Sequence, residues 1–365
     1  MKKNTIKIAL AITLYGVSFS ANSASPSYAF TDLGTLGGPN SYANAINNAG
    51  QVVGAADVDG NFSFATVWNG TIATGLDTGG FWSTANAINE AGQVAGTSTN
   101  AYNNVPQATV WNGSTGTKLG GDYGTRAFGI NNLGQVVGRS TVSYNDSASY
   151  ATLWNGTSPT YIKSYADASD INNAGQVAGF AYNASGGHAT VWNGSITTDL
   201  GTLGGIYSSA FAINDAGQVA GYSYIAGNTE MHATVWNGTS VTDLGKLIGG
   251  THSYANAINN SGQIAGFTVF ESGVTTYRAT VWNETTAIDL NSFLDASSVA
   301  AGWVLLQANG INDNGWIVGN ASNSLLGISS RAFLLTPIPE PETYIMLLVG
   351  LTLVGFVARR RTVLI

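Results

Sequence analysis

The chain has 365 residues, of which only 9% are charged and 44% hydrophobic, with 47 glycines and no cysteine. This composition excludes disulfide staples and thiolate metal sites, and it is not that of a disordered chain. Six of the thirteen cations stand at the two ends, so residues 26–336 carry seven basic and eighteen acidic side chains, too few cations for a nucleic-acid-binding surface.

The first 24 residues read as a secretory signal peptide. Lys2, Lys3 and Lys7 precede an apolar run from Ile8 to Val17, and the small residues Ser18–Ser25 follow. Cleavage is expected between Ala21 and Ser25, and the remainder is expected to be exported.

A nine-residue phrase, Ile-Asn-x-x-Gly-Gln-Val-x-Gly, then begins at Ile46 and returns at Ile88, Ile130, Ile171, Ile213 and Ile258. A degraded copy stands at Ile311, and the isoleucines are 42, 42, 41, 42, 45 and 53 residues apart. A period near 42 marks a repeat architecture. Each period divides into four short segments. In the first these are 41–47, 51–56, 62–68 and 71–77, the last two joined by Asn69-Gly70. Asn-Gly between apolar runs is a strong hairpin signal. It recurs at Asn112, Asn155, Asn193 and Asn237, whereas Asn283 is followed by Glu284, where a change of turn type is expected.

Four antiparallel strands in about 42 residues predict one blade of a β-propeller. Strand a carries small residues such as Ala43, Ala45, Ala85 and Ala87, as crowding near an axis requires. Strand c ends in Trp at 68, 111, 154, 192, 236 and 282, a periodic position that predicts packing between blades. The seventh copy lacks a strand d. The segment 31–38 repeats 198–205 word for word, so the N-terminal strand is expected to complete the last blade. The fold class is therefore all-β, a seven-bladed propeller over residues 27–336 closed by its first strand.

The a–b and c–d turns hardly vary between copies, whereas the b–c and d–a loops do, and in a propeller these open on opposite ends. The variable loops carry aromatic residues, among them Trp82, Tyr102, Tyr123, Tyr144, Tyr182 and Tyr207, and also Tyr224, Phe270 and Tyr277. Aromatic faces with neutral Asn, Ser and Thr suit sugar binding, and the first six residues are the candidate ligand-binding set.

No catalytic constellation is legible and no cofactor is expected. His188 and His232 occupy a position held elsewhere by Phe64, Gln107, Tyr150, Arg278 and Arg331, which does not describe a metal ligand. Asp32, Asp199, Asp243 and Asp289 recur before Leu in strand d and are expected to bind a neighbouring N–H or turn. Asp57-x-Asp59-Gly60-Asn61 lacks the distal acid of a calcium loop, so no metal site is assigned. Residues 290–306 break the period and are expected to add a short helical turn near 293–301.

The tail reads Pro339-Glu340-Pro341, then an apolar segment 344–358 of about 22 Å as a helix, then Arg359, Arg360 and Arg361. This segment predicts a transmembrane helix with the arginines as a cytoplasmic stop. The three parts in this order resemble the PEP-CTERM sorting signal, placed at 337–365. The resemblance implies processing by an exosortase and delivery to the cell surface or exopolysaccharide matrix (biofilm) of a Gram-negative bacterium. The body resembles the HAF-repeat proteins through 199–205, 210–221 and His188-Ala189-Thr190, a resemblance that transfers no catalytic residue. The function expected is that of an exported, non-enzymatic surface or matrix protein binding polysaccharide or surface proteins. The alternatives are a structural matrix component without a specific ligand, or a glycan hydrolase or lyase.

Overall fold

The computed structural model describes residues 28–58, 62–76, 82–99, 105–121, 123–141, 143 and 149–338. The predicted leader 1–24, Pro339, Glu340 and Pro341, the apolar segment 344–358 and Arg359–Arg361 lie outside the described residues, as do Tyr102 and Tyr144. Among the described residues no helix is long and apolar enough to cross a membrane.

The chain opens with β1 (Tyr28–Asp32). It continues into a four-stranded antiparallel sheet of β2 (Ser41–Ile46), β3 (Gln51–Asp57), β4 (Ser63–Asn69) and β5 (Ile72–Gly75), paired in chain order. The pattern repeats in β6 (Ser83–Ile88), β7 (Val94–Thr99), β8 (Pro106–Asn112) and β9 (Thr115–Lys118). It repeats again in β10 (Gly124–Ile130), β11 (Val136–Thr141), β12 (Ser149–Asn155) and β13 (Ser158–Ser164). An eight-stranded sheet follows. Its first half is β14 (Ala166–Ile171), β15 (Val177–Asn183), β16 (Gly186–Asn193) and β17 (Ile196–Asp199). Its second half is β18 (Gly204–Ile213), β19 (Gln218–Ile225), β20 (Met231–Asn237) and β21 (Ser240–Gly245). One parallel pair, Gly187 with Tyr207, joins the halves. The next sheet is β22 (His252–Ile258), β23 (Ile264–Ser272), β24 (Val274–Asn283) and β25 (Thr286–Asp289). The last contains β26 (Trp303–Ile311), β27 (Ile317–Asn323) and β28 (Ile328–Pro337), with β1 as its fourth strand.

The closing strand runs antiparallel to β28, with Thr31 opposite Leu334 and Asp32 opposite Phe333, and Leu33 N–H donates to the Ala332 carbonyl at 3.0 Å. The paired segment is 28–32, upstream of most of the repeated 31–38 phrase, whose remainder leads into β2.

Each core lies between neighbouring sheets. Trp68, Trp111, Trp154 and Trp236 are fully buried. Trp68 packs with Val52, Ala56 and Ala43 of its own sheet, and with Val318 and Ala332 of the last sheet and Leu33 after β1. Trp111 packs with Val94 and Ala85 and, across the interface, with Val53 and Ala65. The small residues of strand a allow this approach, since Ala43, Ala85, Ala127, Ala168, Ala210, Ala255 and Ala308 are all wholly buried.

Two glycines of the repeated phrase have separate reasons. Gly50 closes the a–b turn at φ +80°, where an L side chain is strained. Gly54 faces a bulge in β2 between Ala43 and Ala45, and a Cβ there would stand 1.8 Å from the Tyr42 carbonyl oxygen.

The asparagine of the phrase binds one sheet to the next. Asn47 Nδ2 donates to the Asn89 carbonyl at 3.2 Å, Asn89 to Asn131, Asn131 to Asn172, Asn172 to Asn214, Asn214 to Asn259 and Asn259 to Asn312. Asn312 then donates to Asn47 at 3.0 Å, so the cycle closes. A second cycle lies beside it, in which Asn48, Glu90, Asn132, Asn173, Asp215, Asn260 and Asp313 each accept from a neighbouring backbone N–H. In the degraded copy Trp316 replaces the glutamine, and its ring covers Gly50 at the seam between last and first sheets.

At Asn283 the expected change of turn does not occur. Glu284 takes φ +54°, close to the +58° to +61° of the glycines at 70, 113, 156, 194 and 238. The hairpin geometry requires the left-handed residue whatever its side chain. Residues 290–306 form a 3-10 turn (Leu290–Phe293) and a short helix α1 (Ala296–Ala300). They serve the closure, because Phe293 meets Tyr28 at 5.4 Å and Trp303 meets Phe30 at 5.1 Å between ring centroids.

Two expected outcomes follow from this geometry. Asn172→Ala removes four hydrogen bonds, leaves the Gln176 N–H unpaired and breaks the amide cycle at the Asn214 carbonyl, which keeps the Gly217 N–H, so it should destabilise by about 2–4 kcal/mol, read as the urea midpoint. Glu284→Gly relieves the left-handed strain and should stabilise by about 1 kcal/mol in the same measurement.

Candidate binding funnel

The inner strands of every sheet line one axial channel, whose walls include Asn44, Asn86, Phe128, Ser169, Phe211, Asn256 and Asn309. Its two ends differ in chemistry. The end formed by the a–b turns holds a cavity of about 200 Å³ bordered by both hydrogen-bond cycles. Its acids are committed to the scaffold. Asp313 Oδ2 also accepts from the amides of Asn48 (3.0 Å) and Asn260 (3.1 Å), and Asp215 Oδ2 from Asn173 (2.9 Å). Burial pushes the Asp313 carboxyl up, and the hydrogen bonds from Asn260 and Asn48 outweigh it and hold the group below its usual range.

The opposite end is flanked by the starts of the a strands and the ends of the b strands. One cross-strand pair per repeat stands there, at equivalent positions: Tyr42–Ala55, Thr84–Thr97, Arg126–Arg139, Asp167–Phe180, Ser209–Tyr222, Tyr254–Phe267 and Gln307–Asn320. The surrounding phrase hardly changes, yet these pairs change completely. From Phe211 onward the rings touch in series: Phe211–Tyr222 at 5.5 Å, Tyr222–Tyr254 at 5.2 Å, Tyr254–Phe267 stacked at 4.8 Å and Phe267–Tyr277 at 5.9 Å. Such spacings are those of attractive aromatic pairs. A cavity of about 410 Å³ opens beside them, lined by Phe128, Asp167, Ser169, Phe180, Ser209, Phe211 and Tyr222.

The phenols of this cluster stay protonated. Burial raises Tyr222, and the phenols of Tyr224 and Tyr182 add to it. Tyr254 is pushed up to about 12 by burial, then by Tyr222, Tyr224, Glu271 and Tyr277. They are therefore neutral hydrogen-bond donors at physiological pH.

Of the six residues proposed from sequence, Tyr182 and Tyr207 lie on this side of the molecule, but on strands rather than loops. Tyr182 belongs to β15 and contacts Phe180 at 5.0 Å; Tyr207 belongs to β18 and meets Tyr224 at 6.2 Å. Phe270 and Tyr277 likewise belong to β23 and β24, opposite Thr276 and Val269 in the hairpin that turns at Gly273, rather than to a loop. Backbone pairing continues further than hydrophobic alternation shows. Trp82 and Tyr123 stand on separate d–a connections, each about two-fifths exposed, and Tyr102 and Tyr144 lie outside the described residues. The sequence reading missed Phe128, Phe180, Phe211, Tyr222, Tyr254 and Phe267. The available signals were the variable facing pair of strands a and b, which holds Phe180, Tyr222, Tyr254 and Phe267, and the strand-a position where Phe128 and Phe211 replace asparagine.

The histidines are explained by the outer strands. His188 Nδ1 meets the Asp199 carboxylate at 2.9 Å and His232 Nδ1 meets Asp243 at 2.8 Å, both across strands c and d. The same slot holds Gln107 with Lys118, Arg278 with Asp289 and Arg331 with Asp32. Asp32, Asp199, Asp243 and Asp289 each also accept a backbone N–H two residues on, at 2.7–2.8 Å. Glu230, itself bonded to Lys246, completes the surroundings of His232. The hydrogen bond to Asp243 raises the His232 pKa against its burial, with help from Glu230. Asp57 accepts from the Asn40 amide at 3.0 Å, while residues 59–61 lie outside the described residues. Among the described residues no group of three His, Asp or Glu converges on a possible metal position.

One acid stands where the other inner strands carry Ala or Gly. Asp170 lies half-buried against the channel and accepts from the N–H groups of Ile171 (2.8 Å) and Ile213 (3.0 Å). Burial pushes it up to about 6, against those two hydrogen bonds.

Comparison with known proteins places one segment and the fold. Residues 337–361 match the PEP-CTERM protein-sorting motif, which marks the chain as an exported protein sorted by an exosortase, passing through a membrane-anchored state before processing. No curated protein matches the chain. Among solved structures it is similar to the β-propeller domain of the Trilobed protease from Pyrococcus furiosus, which has an open velcro topology. The identity is 10% and the TM-score 0.55, with 81% of this chain and 93% of that one covered. It is also similar to an acylaminoacyl peptidase from Pyrococcus horikoshii (11%, TM-score 0.52, 84% and 53% covered) and a puromycin-hydrolyzing peptidase from Mycobacterium tuberculosis (12%, 0.51, 84% and 54%). The chain spans about half the length of those two peptidases. At such identities the likeness is one of fold: an all-β, propeller-like arrangement of four-stranded antiparallel sheets.

Two of the perturbed groups, Asp170 and His232, act in successive windows of the pH profile. Asp170 sits near 6 in the fold and near 3.9 unfolded, so the folded state retains a proton and stability falls as pH rises from about 4 to about 6. His232 is raised, so its pairing stabilises fully below about 6.5 and is lost as pH rises through the folded value. Urea midpoints across pH should show the first decline absent in Asp170→Ala and the second absent in His232→Gln. Variant profiles parallel to the parent refute the assignments.

Proposed function

We propose that residues 27–336 form a seven-bladed propeller of HAF-repeat type that binds polysaccharide in the funnel at its variable end. The closed cycle of seven asparagines and the pairing of β1 with β28 support the blade count. The single observation that carries the binding reading is the run of touching rings from Phe211 to Tyr277 beside a cavity of about 410 Å³. Rings pack against sugar C–H faces, and Ser169, Ser209 and neutral phenols supply uncharged hydrogen bonds. The cavity lies within the roughly 300–1,000 Å³ of small-ligand sites, enough for one or two sugar units rather than a whole chain.

In this reading the tail delivers the protein. The apolar segment 344–358 holds it in the inner membrane with Arg359–Arg361 on the cytoplasmic side. An exosortase acts at Pro339-Glu340-Pro341, and the body reaches the surface or exopolysaccharide matrix of a Gram-negative cell. The protein acts there as a binding component and not as an enzyme, a reading supported by the scaffold hydrogen bonds that occupy Asp32, Asp170, Asp199, Asp215, Asp243, Asp289 and Asp313.

Glycan-array binding and exopolysaccharide co-sedimentation test the proposal. The parent should be retained, and Tyr222→Ala with Tyr254→Ala should weaken retention by about tenfold or more. No retention by the parent would leave a structural matrix component, and release of shortened glycan would make the protein a hydrolase or lyase.

A further inference from the structure

The propeller carries few cations, yet two of them face each other. Arg126 and Arg139 are direct partners in the β10–β11 ladder, a placement that destabilises a sheet when both are charged. Equivalent slots elsewhere in strand a hold the neutral Tyr42, Thr84, Ser209, Tyr254 and Gln307, and in the next repeat Asp167. One acid stands near, and it does not balance the pair. Asp167 Oδ2 reaches Arg139 Nη1 at 3.5 Å, its Oδ1 is buried with no partner, and Arg126 makes no ion pair among the described residues. The local set therefore carries one excess positive charge. It adjoins the aromatic cavity, because Asp167 lines that cavity and Phe128 lies two residues beyond Arg126 on the same strand. A fold that breaks a pairing rule at one slot of a repeated position does so where function demands it.

We propose that Arg126 and Arg139 form a carboxylate subsite, so that the glycan taken by the funnel is acidic, a uronate-type residue whose ring packs on the aromatic wall. This rests on the polysaccharide reading above and adds the chemical class of the ligand. Guanidinium groups present forked donors that match a carboxylate. A bound carboxylate brings the set to two positive and two negative charges and removes the facing-charge repulsion. Burial, and then the charge of Arg139, hold Arg126 below the usual arginine range, as expected of a cation lacking its counter-ion.

The test uses the full-length chain in detergent, with oligogalacturonate and its fully methyl-esterified form as probes in calorimetric titration. The parent should bind the free acid about tenfold more tightly than the ester. Arg126→Gln and Arg139→Gln should each bring the two affinities to within about twofold. Arg126→Gln should also raise the thermal midpoint, since it relieves like-charge repulsion, so loss of folding does not imitate the result. Equal affinity of the parent for acid and ester overturns the carboxylate subsite and leaves glycan binding standing. Binding of neither overturns both, and a preference that persists in both variants overturns the assignment to these arginines.

Discussion

The structure depends on an amide that must donate and accept at once. In each a–b turn the asparagine oxygen takes the N–H of the residue four places on, and its nitrogen reaches the carbonyl of the next turn. Aspartate lacks the donor and serine lacks the reach, so the side chain is specified twice over. Because every asparagine is buried, each unmade bond would cost its desolvation, and the seven must be satisfied together or not at all. This accounts for a cysteine-free chain with few charges holding its sheets in a ring: indole packing fills the interfaces between sheets, and the amide cycle sets their spacing.

That commitment divides the two ends of the molecule. At the turn end both hydrogen-bond cycles consume the side chains that the repeat provides, including three acids, and little is left to recognise a ligand. At the other end the scaffold ends above the strand a bulge. Past it, one facing pair per repeat is free of the constraint, and that pair runs from Thr–Thr to Arg–Arg to Tyr–Phe around the opening. Variation on an otherwise monotonous frame is where recognition is built. The asparagine arc at 44, 86, 256 and 309, whose amides again bind neighbouring carbonyls, gives way at Phe128, Ser169 and Phe211. The interruption of that arc coincides with the aromatic wall, so structural bonding has been given up on the side that carries the rings.

The seam between first and last sheets shows how a repeat copes with being interrupted. It is joined by pairing with a strand from the far end of the chain, by Trp316 over Gly50, and by the insertion whose Asn291 clamps both backbone groups of Leu305. The departures from the repeat in the last copy are thus the material of the closure. Residues that looked degraded against the repeat are adapted to a neighbour that is not another mid-chain copy.

The amino-acid sequence by itself determined the period, the four strands per repeat, the Asn-Gly hairpins, the buried tryptophans and the origin of the missing strand. Each of these is a local pattern repeated many times, and repetition averages out the uncertainty of any single segment. It also determined the sorting tail, which is read as a linear string. Only the tertiary structure decided which side chains meet around the axis. Phe128, Phe211, Tyr222 and Tyr254 are tens of residues apart, and each sits on a short strand where an aromatic residue reads as ordinary β-former. Arg126 and Arg139 look like two stray cations until the ladder sets them face to face. Strand periodicity says which side of a sheet a residue takes, but convergence on an axis is a property of the ring, and no local pattern carries it.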